Sequence, residues 1–116
     1  MKREKLGERI KRVRQERRLG LRETATKLNI SATYLSRIET CQEASPPAEK
    51  VIRGLAELLQ DDFDELMQLA GRVPQDVENV IKGDPRMPEF LRTARDANVS
   101  GEDLLEMLRT KRKGQP

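Results

Sequence analysis

The side chains best suited to specific chemistry lie in residues 31–40, where hydroxyl, phenol and guanidinium groups are closely spaced. A short helix is predicted from about Ala32 to Thr40, and Ser31 is a good N-cap for it. Its polar side chains face outward, namely Thr33, Ser36 and Arg37. These groups donate and accept hydrogen bonds, and the chain offers no histidine to activate the hydroxyls. The segment therefore favours recognition chemistry over covalent catalysis.

Several classes of catalytic and metal site are excluded by composition. The 116 residues include no His and one cysteine, Cys41. A Ser-His or Cys-His pair, a zinc cluster and an intrachain disulfide are therefore absent. The carboxylates lie in helical, charge-interspersed segments and are interpreted as solvated surface rather than as an acid–base pair. We expect no enzymatic activity, no cofactor and no metal site.

Cys41 has two interpretations. The simpler is a small, half-buried residue. The alternative is a redox-sensitive thiol, which would need a second subunit to supply the resolving cysteine.

Charge is strongly polarised along the chain although the formal net charge is only +3. Residues 1–22 carry +7 and residues 39–66 carry −6. A basic cluster of this kind is either a solvated helix face or a phosphate-binding surface, and the density of Lys and Arg favours phosphate contacts. No apolar run approaches the roughly 18 residues of a membrane span, so we expect a cytoplasmic protein without a membrane segment.

Hydrophobic periodicity is helical throughout, and five short helices are predicted to share one core. The first three cover about residues 4–18, 21–28 and 32–40. A loop over residues 41–47 precedes two more helices, which end at Gly71. The predicted core residues are Leu6, Ile10, Val13, Ala25, Leu28, Ile30, Leu35, Ile38, Val51, Ile52, Leu55, Leu58, Leu59, Phe63, Leu66, Leu69 and Ala70.

The remaining residues predict a helical extension. A short helix starts at about Pro74 and is broken by residues 83–85, a second contains Phe90, and a third is capped by Ser100. Residues 109–116 are interpreted as a frayed basic end. These segments are too short for an independent core, so we expect them to pack on the N-terminal domain, on a sister chain, or on both.

The predicted second and third helices form a pair joined by a tight turn, and a strongly basic helix precedes them. This arrangement has the geometry needed to enter a DNA major groove. A generic helical hairpin with a polar outer face fits the same pattern.

Residues 19–31 (LGLRETATKLNIS) and 34–39 (YLSRIE) resemble the helix-turn-helix of the lambda-repressor-like, Cro-type (XRE) family of bacterial and phage regulators. The resemblance covers about residues 4–71 and includes the basic first helix and the LAELL segment at residues 55–59. It implies an all-α fold, with a five-helix lambda-repressor-like DNA-binding domain over residues 1–71 and a short helical C-terminal extension over residues 72–116.

The family pattern also implies roles for individual residues. Base readout is expected from the third helix, through Ala32, Thr33, Tyr34, Ser36 and Arg37. Arg37 could donate two hydrogen bonds to guanine O6 and N7, whereas Thr33 and Ala32 could contact a thymine methyl. The alternative for Arg37 is an exposed arginine that pairs with a neighbouring Glu. Contacts to the DNA backbone are expected from Lys2, Arg3, Arg9, Arg17, Leu21 and Thr40.

Arg14 and Glu39 occupy the positions of a structural pair between the first and third helices in this family. Some positions depart from the family pattern. Leu21 replaces an amide, so only its backbone N–H remains as a phosphate donor, and Thr24 replaces an aliphatic residue. Asn29 and Cys41 stand where Gly is common, so the backbone after the third helix could differ.

The resemblance implies double-stranded DNA as a partner and a homodimer on a near-palindromic operator, where the protein would act as a transcriptional repressor. Residues 72–116 would then serve dimerisation or partner docking. The alternative is an antitoxin-type interaction protein that binds a partner protein and autoregulates its operon.

Overall fold

The computed structural model describes residues 3–114, and the regular structure in this range consists of eight α-helices. The first five are α1 (Leu6–Glu16), α2 (Leu21–Lys27), α3 (Ala32–Glu39), α4 (Glu49–Leu59) and α5 (Phe63–Leu69). The last three are α6 (Gln75–Gly83), α7 (Met87–Asp96) and α8 (Gly101–Lys113). The chain divides after Pro74 into two compact units.

Helices α1–α5 enclose a single apolar core, which confirms the expected lambda-repressor-like arrangement. Six side chains at its centre have no exposed surface: Ile10, Leu35, Ile52, Leu55, Leu59 and Leu66. Most of the predicted core is confirmed. Some predicted members are only partly buried, namely Leu28, Ile30, Val51, Leu58, Phe63, Leu69 and Ala70. Met67 and Thr24 are fully buried although the periodicity did not select them.

The turn between α2 and α3 is built as the sequence predicts. Asn29 adopts a left-handed backbone with φ of 58°, and Ile30 packs against the core. The Ser31 hydroxyl accepts a hydrogen bond from the backbone N–H of Tyr34 at 3.0 Å, which caps α3. The left-handed residue ends α2 and the hydroxyl cap starts α3, so local interactions set the angle between the two helices.

Cys41 takes the left-handed conformation at the end of α3, with φ of 60°. The backbone therefore leaves α3 much as it would with glycine, although an L side chain is strained there. The expectation of a half-buried Cys41 is wrong, because its side chain is exposed. The left-handed turn directs it away from the core.

Helices α6, α7 and α8 have no buried residue. α6 packs on α7, and Ser100 caps α8 by accepting from the Asp103 N–H at 3.0 Å. The predicted frayed end is wrong over residues 109–113, since α8 continues to Lys113, and residues 115–116 lie outside the described part of the chain. Basic residues in its last turn favour this extension through the helix dipole. Within the described residues, no helix is long and apolar enough to cross a membrane.

Candidate nucleic-acid interface

A buried ion pair joins α1 to the end of α3. Arg14 Nε and Nη2 donate to the two carboxylate oxygens of Glu39 at 2.7 and 2.9 Å. The third nitrogen, Nη1, donates to the Leu19 carbonyl at 2.8 Å. The residues are 8% and 6% exposed, so this bidentate contact sets the position of α3 against α1. The geometry expected of this pair is present.

The outer face of α3 carries a smaller set of exposed side chains than the family pattern implies. Thr33 and Arg37 are exposed, and Ser36 is half-buried. Ala32 and Tyr34 pack in part against the apolar core, which leaves less of each side chain available to a ligand. Thr33 and Arg37 are therefore the most accessible of the five residues predicted to read bases.

Arg37 has a carboxylate partner in the loop that follows α3. Its Nε lies 2.8 Å from Oε1 of Glu43, and the Arg37 side chain remains 53% exposed. The alternative interpretation of Arg37, an exposed arginine paired with a neighbouring Glu, thus describes this structure. Exposure of the guanidinium also leaves it accessible to a ligand.

The residues predicted to contact the DNA backbone occupy different environments. Leu21 begins α2, so its N–H belongs to the first turn, where N–H groups lack intrahelical acceptors. Arg3 and Thr40 are exposed, but the Thr40 hydroxyl donates to the Ser36 carbonyl at 2.9 Å. Lys2 lies outside the described residues.

Arg9 and Arg17 bond to the turn between α4 and α5 rather than standing free. Arg9 donates to Asp61 at 2.6 and 3.0 Å and to Glu65 at 2.8 Å. Arg17 Nε donates to the Leu59 carbonyl at 2.6 Å. The phosphate contacts expected from these two arginines stay predictions, and in this structure the Nε and Nη2 groups of both donate to acceptors of residues 59–65.

Asp61 also overturns the interpretation of every carboxylate as solvated surface. Its side chain is 8% exposed. Burial alone would raise its pKa, but hydrogen bonds from Arg9 and from the Asp62 N–H outweigh burial and lower the pKa below 3.8. Asp61 and Glu39 are therefore structural carboxylates, held by α1 arginines.

Glu43 and Arg22 are two further charged residues for which the sequence alone predicted no role. Glu43 pairs with Arg37, but it lies in a segment interpreted only as a loop. Arg22, in the first turn of α2, is exposed and has no carboxylate partner among residues 3–114. Its position next to Leu21 is a signal that could have identified it.

Comparison with known proteins places residues 7–72 in a family described as a helix-turn-helix domain. A curated relative, the HTH-type transcriptional repressor RghR of Bacillus subtilis (strain 168), is 37% identical over 73 residues. The alignment covers 62% of this chain and 53% of RghR, so the chain spans about half the length of this relative.

Two solved structures resemble the chain. The SinR protein/SinI protein complex matches with a TM-score of 0.50 and 26% identity, covering 95% of this chain and 99% of the other. The crystal structure of SinR, a master regulator of biofilm formation, in complex with DNA has a TM-score of 0.49 and 29% identity. It covers 53% of this chain and 97% of the other. With the capped turn, the buried Arg14–Glu39 pair and a matching family model over more than half of its length, the chain belongs to the XRE-type helix-turn-helix family.

Proposed function

We propose that this protein is a sequence-specific transcriptional repressor that binds a near-palindromic DNA operator as a dimer. The observation that carries the proposal is the exposed polar face of α3, with Thr33 and Arg37 outward, on a helix that Arg14 and Glu39 hold in place. A helix presented in this way can enter a major groove and read base edges. The name of RghR, a transcriptional repressor, supports repression as the outcome.

Base readout is assigned mainly to Arg37 and Thr33, with smaller contributions from Ala32, Tyr34 and Ser36. Arg37 would donate to guanine, and a correct pairing of this kind is worth about 1–3 kcal/mol of discrimination. Arg3, Thr40 and the N–H of Leu21 remain proposed phosphate contacts. Arg22 joins them because its exposed guanidinium adjoins the first turn of α2.

Selection of bound duplexes from a random pool tests the readout. Wild-type protein should enrich a near-palindrome whose half-sites lie about 34 Å apart, one helical turn. Arg37→Ala should lose preference for that sequence and keep weak, salt-sensitive binding to any duplex. Enrichment of no common sequence by the wild type would reject sequence-specific binding. Retention of full discrimination by Arg37→Ala would reject the assignment of Arg37.

Dimerisation is assigned to residues 72–116. This region exposes apolar side chains on all three of its helices: Val77, Val80, Phe90, Leu91, Leu105, Met107 and Leu108. Patches of this kind mark interaction sites on water-exposed surfaces. Residues 75–114 contain eight basic and eight acidic side chains, so two copies meet without net repulsion.

Sedimentation of the full chain tests the dimer. Leu105 and Leu108 lie one turn apart and are 54% and 59% exposed. Replacing both with Glu should give a monomer with much weaker operator binding, since one domain alone makes half of the contacts. Thr110→Glu, about 140° around α8 from Leu105, is the matched control and should stay dimeric. A monomeric wild type, or a dimer unaffected by the double change, would reject this assignment.

A second candidate is an antitoxin-type protein, in which the same exposed residues bind a different protein and DNA binding serves autoregulation. The similarity to SinR in its complex with the SinI protein favours docking of a protein partner. Co-expression with the product of the adjacent gene, followed by purification, tests this function. A stoichiometric complex that the Leu105 and Leu108 changes disrupt would support it.

A further inference from the structure

Glu43 is held beside the exposed guanidinium of Arg37 by the backbone after α3. The Cys41 N–H donates to the Ile38 carbonyl and the Gln42 N–H donates to the Arg37 carbonyl, at 3.1 and 2.9 Å. With Cys41 in the left-handed region, these bonds fold the chain back toward the last turn of α3. Glu43 follows directly after this turn.

The far end of the same loop is also fixed. Arg72, after α5, donates through Nε to the Pro47 carbonyl at 2.6 Å and through Nη2 to the Pro46 carbonyl at 3.0 Å. Pro47 is buried. Glu43 is therefore carried by a short loop whose two ends are held by hydrogen bonds that do not involve the Glu43 side chain.

Contact through Nε leaves the other end of the Arg37 guanidinium available. The closest approach of this ion pair joins Nε to Oε1 at 2.8 Å without the alignment of a hydrogen bond, and among residues 3–114 the two terminal NH2 groups have no hydrogen-bonded acceptor either. Those two groups form the end-on fork that matches guanine O6 and N7. Pairing at Nε also restricts a side chain that would otherwise lose much rotamer freedom on binding.

The Glu43 charge acts on every duplex alike. Its side chain is 28% exposed beside Arg37, so close approach of phosphates costs electrostatic free energy whatever the base sequence. A guanine placed under Arg37 offsets that cost only at the correct site. An interaction that weakens binding to every sequence, and is compensated at only one, increases the difference in binding free energy between them.

We propose that Glu43 is a specificity-determining residue, which positions Arg37 for end-on contact with guanine and disfavours non-cognate DNA. This inference rests on the proposed function, because it requires that α3 reads DNA. Glu43 acts through Arg37 and through its charge, and it needs no contact of its own with a base.

The test measures affinity for the selected operator and for a random duplex at several salt concentrations. Glu43→Ala should bind the operator more weakly and the random duplex more tightly, lowering the affinity ratio by about tenfold or more. Glu43→Gln removes the charge but keeps a side chain of the same shape beside Arg37, so it should lower the ratio less and mainly through tighter random binding. Glu57→Gln, an exposed change on α4, controls for net charge and should leave the ratio unchanged.

A readout without DNA separates positioning from simple stabilisation of the domain. The Arg37 Nε–H resonance, assigned by its loss in Arg37→Lys, should show a lower order parameter in Glu43→Ala than in wild type. A purely structural role predicts a lower melting temperature with an unchanged affinity ratio, and that result would overturn the proposal. If Glu43→Ala melts too low to assay, Glu43→Gln decides the outcome by the same ratio.

Failure of this inference is distinguishable from failure of the proposed function. If wild type enriches a common sequence and Arg37→Ala abolishes the preference while both Glu43 variants keep it, only the role of Glu43 is rejected. If wild type enriches no sequence, both proposals are rejected together.

Discussion

Gly7 of α1 lies directly against the backbone carbonyl of Ile38 at the end of α3. A Cβ at Gly7 would stand closer to the Ile38 oxygen than any real Cβ contact, and 2.7 Å from the Glu39 oxygen. α1 and α3 therefore contact each other through backbone atoms, with Gly7 against the carbonyls of Ile38 and Glu39. Glycine at this position is required by the close approach of the two helices rather than by its own backbone angles.

Gly7→Ala should destabilise the protein and shift α3. Carbonyl oxygens of a helix cannot move aside as a side chain can, so we expect a loss of about 1–3 kcal/mol from overpacking. Chemical denaturation measures the loss. Operator affinity should fall beyond what the unfolded fraction explains, because α3 is displaced.

Gly54→Ala is the matched control within α4. An added methyl there meets only Cδ2 of Leu28, at 2.9 Å, and this side chain can turn away. The gain in helix propensity, about 0.5–1 kcal/mol, should offset most of the cost. Equal losses in the two variants would contradict the special role of Gly7.

The Arg14–Glu39 pair should be more costly to break than to replace. Glu39→Ala leaves the Arg14 charge buried without its partner, which should cost about 3–5 kcal/mol. The double variant Arg14→Met with Glu39→Leu removes both charges and should lose less than Glu39→Ala alone. Urea denaturation of the three proteins measures this difference, and a double variant less stable than Glu39→Ala would contradict it.

Thr24→Val should stabilise the protein. The Thr24 side chain is fully buried, and its Oγ1 finds no hydrogen-bond partner within residues 3–114. A methyl of similar size removes the desolvation cost of the hydroxyl, so we expect a gain of about 1–3 kcal/mol. Thr26→Val, at an exposed position of the same helix, should give little change in a thermal melt. A loss of stability in Thr24→Val would indicate that the hydroxyl has an acceptor after all.

Ionisation of Asp61 should make the free energy of unfolding depend on pH. Its folded-state pKa lies below the ordinary 3.8, so its ionised form stabilises the fold above that pH, and the contribution is lost as the pH falls through the folded value. Asp61→Asn should therefore cost about 1.5–3 kcal/mol near neutral pH. The gap in unfolding free energy from wild type should narrow below about pH 3.8.

Glu57→Gln serves as the reference, since Glu57 is exposed on α4. Its difference from wild type should stay small across the same pH range. A gap for Asp61→Asn that stays constant from neutral to acid pH would show that the Arg9 contact does not depend on the Asp61 charge.

Local signals in the sequence were sufficient for the elements of the recognition unit. The period of 3.6 residues placed α1–α5, Ser31 marked the start of α3, and Asn29 marked the left-handed turn before it. These features are determined within a few residues of each other, through caps and backbone sterics, so a single sequence reveals them.

The partners of charged side chains could not be predicted from the sequence. The basic cluster of residues 1–22 was interpreted as favouring phosphate contacts, but Arg9 bonds Asp61 across 52 residues and Arg17 bonds the Leu59 carbonyl across 42. The residues next to a long, flexible arginine in the sequence do not indicate which acceptor its guanidinium will bond. Only the packing of α1 against the α4–α5 turn brings these groups together.

The sequence by itself determined the helices, their caps, the composition of the core and the family of the fold, because each of these depends on periodicity and short-range sterics. Tertiary structure decided which arginines bond to distant protein acceptors, that Arg37 is paired with Glu43, and that Gly7 supports α3. Those outcomes depend on distances between residues far apart in the chain, and such distances exist only once the core has closed.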